Sequence, residues 1–302
     1  MSGSFRAELV KLVRRPAAWL LLAITLALAV LFTYVFPYAG YAAGTGGPNS
    51  GRALSTLLPD RLVGNSLGGL PVFLGAIVLI LGVLVVGGEY AWGTWKTVLS
   101  QGPSRLGVYA GKLLTLAMAA LVVVLAVFGV GAVSSALIAA AEARPVRWPG
   151  LGDLLTGIGA GWLIATMWAM LGVVLAVALR AVALPVGLGL VWMLAVQNLL
   201  AAIAAPLLDW VARLQKGLPG PNAGSLAGAL GASADTPGVA AAVGGGQAAL
   251  VVAGYLVAFA AVGALLLRLS LIHISEPTRL ALTSYAVFCL KKKQQSPGHR
   301  KY

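Results

Sequence analysis

The run LLTLAMAALVVVLAVFGVGAVSSALIAA, Leu113 to Ala140, decides the fold class. It carries no charge and exceeds the about 20 apolar residues that an α-helix needs to cross a bilayer. Five further runs share its character: Ala17 to Phe36, Leu67 to Gly88, Leu154 to Leu179, Val182 to Ala205 and Ala248 to Leu267. Strands of membrane barrels alternate apolar and polar residues, whereas these runs are continuously apolar and predict helices. The composition, 60% hydrophobic and 10% charged, lies far from the roughly 25% charged residues of soluble domains. The expected architecture is all-α, a polytopic membrane protein with six transmembrane helices within residues 17–268.

Arg14 and Arg15 precede the first run as a signal peptide's basic region would. The run is longer than the about 7–15 residues of a signal's apolar region, and no clean A-x-A site follows, so it reads as the first span. Residues 1–16 predict a cytoplasmic amphipathic segment. Ser4 suits an N-cap, Phe5, Leu9, Leu12 and Val13 share one helical face, Arg6, Glu8, Lys11, Arg14 and Arg15 fall around the rest, and Pro16 breaks the helix. An apolar stripe with a cationic flank fits a helix lying in the bilayer interface.

Basic residues favour the cytoplasmic side. An N-in arrangement puts Arg6, Lys11, Arg14, Arg15, Lys96, Arg105, Lys112, Arg180 and Arg268 there. Arg52, Arg61, Arg144, Arg147, Arg213 and Lys216 fall outside, among Asp60, Glu142, Asp153 and Asp209. Both natural termini are then cytoplasmic. Pro37 to Asn65 and Pro206 to Gly246 read as Gly/Pro/Ala-rich outer connections without the composition of a domain, with weak helix signals at Leu207 to Leu214.

The end of the chain changes character. Leu269 to Arg279 (LSLIHISEPTR) resembles a translated transposase adapter of DNA sequencing libraries, and Ser284 to Leu290 a translated flow-cell primer. Residues 269–302 are therefore expected to be non-native, and with them go both histidines, His273 and His299, and the single cysteine, Cys289. Six cations leave against one acid, Glu276, so the net charge of +13 is no sign of nucleic-acid binding.

Ion-coupled carriers hold titratable groups at membrane depth, and the six runs contain none. Gln197 and Asn198 are the most polar pair within a span, suited to hydrogen bonding between helices or to a polar contact on a translocation path. The nearest approach to a phosphate-binding loop, Gly107 to Leu113, fails the G-x-x-x-x-G-K-[ST] spacing. No nucleophile, carboxylate pair or metal cluster stands out before residue 269, so neither catalysis nor a cofactor is expected of this chain. Gly157-x-x-x-Gly161 and Gly64-x-x-x-Gly68 permit close helix approach, but among 39 glycines such spacings arise by chance.

Between the second and third runs lies EYAWGTWKTVLSQGPSR, Glu89 to Arg105, then Gly111-Lys112. Gly93 allows a turn. Thr94 to Ser100 can form two helical turns with Trp95, Val98 and Leu99 on one face, and Pro103 ends them. Glu-x-x-x-Gly-Thr closing a second span, a following basic residue and Leu, and a Ser-Arg/Gly-Lys pair opening the third resemble permease subunits of ATP-binding-cassette (ABC) transporters of the type 2 exporter class. The resemblance implies that residues 89–105 carry a short cytoplasmic coupling helix that docks on a separate ATP-binding subunit, which holds ATP and Mg. Glu89, Gly93, Thr94, Lys96, Leu99, Arg105 and Lys112 are its implied coupling residues, with Arg105 and Lys112 meeting phosphate headgroups or the partner's acidic rim. It further implies a second permease chain, identical or related, and outward transport of a small molecule, peptide or lipid. The Ala/Gly/Val/Leu bias suits a bacterial plasma membrane. The alternatives are a membrane sensor or assembly protein that moves nothing, and an ion-coupled carrier.

Overall fold

A computed structural model describes residues 2–44, 54–94, 104–200, 203 and 207–270. Among them, helices α1 (Ser2–Val13), α2 (Pro16–Ala43), α3 (Leu62–Gly68), α4 (Phe73–Ala91), α5 (Arg105–Ala141), α6 (Leu151–Leu179), α7 (Ala183–Leu199), α8 (Asp209–Gln215), α9 (Pro219–Ala229) and α10 (Gly245–Ser270) follow one another, with no strand. The chain is an all-α, multi-pass membrane protein. Five helices, α2, α4, α5, α6 and α10, are long and apolar enough to cross a bilayer. The fifth of the six predicted runs supplies the shorter apolar helix α7, which contains a π stretch at Val191–Val196.

Proline accounts for two departures from the predicted boundaries. α2 runs past Phe36 and through Pro37 to Ala43, because the turn before the proline widens to π spacing at Leu31–Val35. A widened turn accommodates a residue that has no N–H to give. The second run splits instead: Leu62–Gly68 fold as α3, and α4 starts at Phe73, beyond Pro71. The Leu74 N–H reaches back to the Gly69 carbonyl at 2.9 Å to close the turn between them.

Helix α6 is the axis of the bundle, with Trp168 fully buried in the core. α4 lies against it at backbone distance. A Cβ on Gly82 would overlap the Ala169 carbonyl, and one on Gly172 the Leu79 carbonyl. Without lipid-excluded water to drive association, such close approach supplies the van der Waals contact that holds membrane helices together. Gly157 and Gly161 serve the same end within the chain, facing Val63, Leu67 and Val124. α2 and α10 sit at the periphery, where Trp19, Leu20, Phe32, Leu250 and Val257 remain exposed, as expected of a lipid-facing surface.

The connection predicted at Pro206 to Gly246 is more structured than its composition suggests. α9 is almost wholly buried, and Gly224 lets the Gly238 backbone pass in contact with it. The buried Asn222 amide donates to the Lys216 carbonyl at 2.9 Å and the Leu218 carbonyl at 2.7 Å. Ser225 Oγ donates to Ala240 O at 2.8 Å and accepts from Ala242 N at 3.0 Å. This cap closes on α3, where Gly64 meets the Gly231 carbonyl. Low complexity concealed it because Gly and Ala here are packing residues.

Gly172→Val drives a side chain into the α4 backbone, and a loss of about 1–3 kcal/mol is expected. Gly152→Ala, in the same helix with nothing within 4 Å, is expected to be neutral or stabilising. Tryptophan-fluorescence unfolding in detergent micelles compares the two. Equal stability would refute the backbone contact.

Candidate functional site

At the far end of α4 from the cap, four charged side chains converge. Lys112 Nζ donates to Glu8 Oε2 at 2.7 Å and to Glu89 Oε1 at 3.0 Å. Lys11 Nζ donates to the same two carboxylates, to Glu8 Oε1 at 2.9 Å and Glu89 Oε1 at 3.2 Å. The quartet joins α1, the last turn of α4 and the start of α5. The Lys112 side chain is only 1% exposed, and those of Glu8 and Glu89 are 7% and 3% exposed. Lys11, at 40%, forms the outer lip. Burial opposes the Lys11 charge, but its carboxylate partners outweigh burial and raise its pKa above the ordinary lysine value.

Each element has a local reason for its place. α1 begins at Ser2, so Ser4 lies inside the helix and is no N-cap. Its buried face is centred on Glu8 and Leu12, while Val10 and Val13 are exposed, which rotates it from the predicted apolar stripe. α1 packs chiefly on α5. A Cβ on Gly111 would press on Phe5 N and on Ser4 at 3.2 Å. Gly111 thus admits the α1 backbone, and the next residue, Lys112, presents the cation to Glu8. Val13 ends α1, Pro16 opens α2, and between them Arg15 Nη1 donates to the Leu84 carbonyl at 3.0 Å.

The Glu-x-x-x-Gly-Thr segment has an equally plain geometry. Gly93 takes a left-handed conformation, φ +64°, after the end of α4, one that glycine adopts without penalty. The turn brings Thr94 back so that its hydroxyl donates to the Glu89 carboxylate. Ser104 Oγ caps α5 by accepting from Gly107 N at 3.1 Å. Gly107 to Leu113, the failed phosphate loop, is simply helix.

The structure brings Glu89, Thr94 and Lys112 together and sets Gly93 at the turn. Lys112 cannot meet headgroups or a partner's rim as the sequence suggested, since its ammonium is enclosed by Glu8 and Glu89. Trp95, Lys96, Val98 and Leu99, and so the predicted coupling helix, lie outside the described residues, as does the Arg105 side chain. Among the described residues the Asn198 amide stays within its own helix, donating to Leu194 O at 3.0 Å in α7. Gln197 is buried against Gly220, and its amide nitrogen has no hydrogen-bond partner among the described residues. Neither is brought to the quartet.

Sequence reasoning missed Glu8. A signal was available: the chain has only 8 acidic residues, and one of them stands three positions before a lysine on a helix that enters a membrane bundle. A charge buried there must be paired. Tyr109, one turn before Lys112, donates to Ala260 O at 3.0 Å in α10. The C-terminal half of α10 therefore returns to the quartet's end of the bundle.

A family model described as ABC-2 family transporter protein matches residues 4–196, a stretch that contains all four members of the quartet. No curated protein matches the chain.

Lys112→Met removes the buried ammonium and leaves both carboxylates only Lys11, at the exposed lip, as a cation; a stability loss of about 3–5 kcal/mol is expected. Lys11→Met, at the exposed lip, is expected to cost no more than about 1 kcal/mol. Denaturant unfolding in micelles reads both. A larger loss from Lys11→Met would show that the quartet is not organised around Lys112.

Proposed function

The chain belongs to the ABC-2 family of transporter proteins and is a membrane permease component of an ABC transporter; from that premise we propose that residues 89–105 receive force from a separate ATP-binding subunit. The observation that carries this reading is the buried quartet, which fastens both flanks of the 95–103 segment and helix α1 into one unit. A segment so anchored at both ends delivers a push to α4 and α5 together. Were its flanks loose, the same push would be absorbed by local bending.

In this proposal ATP and Mg are bound and turned over on the partner, and this chain performs no chemistry. Two permease chains, identical or related, pair with two ATP-binding subunits. ATP-driven closure moves the coupling segments and rocks the helices between inward-facing and outward-facing or collapsed states. The quartet lies on the cytoplasmic side of a bacterial plasma membrane, in keeping with the basic residues Arg6, Arg14, Arg15, Arg180 and Arg268 near that end. Transport runs outward, with a small molecule, a peptide or a lipid as cargo.

Gly93→Pro locks φ near −65° where the turn uses +64°, and Lys96→Glu reverses a charge on the segment itself. Both variants are expected to insert normally in the membrane. Both should lose co-purification with the ATP-binding subunit, or ATP hydrolysis stimulated by this chain, by about tenfold or more, equivalent to about 1.4 kcal/mol. Wild-type coupling in both would remove the assigned role.

A further inference from the structure

Of the chain's 8 acidic residues, only Glu8 and Glu89 stand at the quartet's end of the bundle among the described residues, and Lys11 and Lys112 engage both. Arg6, Arg14, Arg15, Arg180 and Arg268 share that end, and none of them forms an ion pair among the described residues. A surface with this excess of guanidinium groups attracts anions.

The fold gathers two of these arginines on one turn of α4. A Cβ on Gly87 would meet the Ala181 carbonyl at 2.7 Å, and one on Gly88 would stand 3.5 Å from Arg15 Nη1 and 3.6 Å from Nη2. The glycine pair thus admits the link between α6 and α7 on one side and the Arg15 head on the other, where the Leu84 carbonyl holds Nη1 at 3.0 Å. Arg180, one residue before Ala181, ends α6 at φ +50° with its N–H on the Ala176 carbonyl. Glycine is the usual occupant of that left-handed position. An exposed arginine held there at a conformational cost points to a use for its side chain.

The adjoining surface is continuous with the lipid-facing one. The outward face of α1 exposes Arg6, Val10, Val13 and Arg14. Trp19 follows, exposed, with its indole N–H on the Val13 carbonyl at 2.8 Å, and then the exposed Leu20 of α2. A tryptophan at such a junction marks the headgroup level of a bilayer. At that level a guanidinium meets lipid phosphates, which it pairs through two parallel hydrogen bonds.

We propose that Arg14, Arg15 and Arg180 form a site for one anionic bilayer phospholipid, its phosphodiester beside the Gly87–Gly88 turn and its chains along Val13, Trp19 and Leu20. A zwitterionic headgroup brings its own ammonium among the arginines and is disfavoured. An acidic protein surface would match the charge but not the valine, tryptophan and leucine that continue into the lipid-facing helix. Lipid binding here requires no nucleotide and no ATP-binding subunit.

Native mass spectrometry of the full-length chain, released from maltoside micelles, resolves bound lipids during titration with phosphatidylglycerol, phosphatidylcholine or phosphatidylethanolamine. The first phosphatidylglycerol is expected to bind more tightly than either zwitterionic lipid. Arg180→Gly suits the φ +50° backbone and should unfold at the same or a higher denaturant concentration, and Arg14→Gln changes an exposed side chain. Each is expected to weaken phosphatidylglycerol binding about fivefold, and the double variant about 25-fold, with phosphatidylcholine unchanged. The cations after residue 269 are common to all these chains, so differences between variants read the arginine site alone. Equal affinity for the three lipids, or an undiminished phosphatidylglycerol preference in the double variant, overturns the proposal. So does a double variant that keeps its lipid preference but no longer co-purifies with the ATP-binding subunit, a result that assigns the surface to that protein.

Discussion

The ammonium of Lys112, shut between the carboxylates of Glu8 and Glu89, is the constraint around which this end of the molecule is arranged. An ion removed from water costs several kcal/mol, and the attraction of a partner recovers that only when geometry is good. Two carboxylates and two ammoniums meet that condition by alternating around one site, with Thr94 adding a further donor to Glu89. Such an arrangement contributes less to net stability than to specificity, because most displaced arrangements leave a charge buried and alone. α1 illustrates the point. Its 12 residues are at the margin of what holds a helix in water without tertiary support. It is positioned by Glu8 reaching Lys112 and by Gly111 letting its backbone close on α5.

Apolar packing elsewhere in the bundle depends on closeness, because surrounding lipid is as apolar as the helices themselves. Gly82, Gly172, Gly157 and Gly161 permit that closeness along α6, and Gly64 and Gly224 repeat the device in the cap. The two ends of the protein are thereby built differently. One is locked by charge, the other by backbone contact and by the hydrogen bonds of Asn222 and Ser225.

The spanning helices were legible because twenty or so continuous apolar residues have few other outcomes in a chain this poor in charge. Gly93 was legible as a turn residue, because glycine is free to leave the helical region; that the turn is left-handed came from the structure. What could not be read was partnership across sequence distance. Glu8 and Lys112 are 104 positions apart, and no local pattern distinguishes an inward-facing glutamate on a short helix from a solvated one. The same limit hid α9. Pro219 to Ala229 offers no apolar periodicity, and its burial comes from small residues accepting a neighbouring backbone. The split between α3 and α4 turned on Pro71, whose missing N–H outweighed an otherwise unbroken apolar run.

The two locks also bear on how a force could travel under the proposed function. α4 cannot slide along α6 without driving Gly82 and Gly172 out of register with the carbonyls they touch, and a close-packed interior yields to such motion in discrete steps. A push at Glu89 is therefore better absorbed as a tilt of the α4–α6 pair than as a shear between them, a rigid-body movement of the kind interfaces and hinges allow. From Glu89 to Phe73 α4 gives a lever of about 24 Å, so a tilt of about 10° displaces the far end by about 4 Å. That end is where α3 and the cap meet, beside a cavity of about 410 Å³ lined in part by Phe32 and Phe73. Coupling of this kind needs no chain of side-chain contacts through the membrane, only a stiff pair of helices with charge at one end and a cavity at the other.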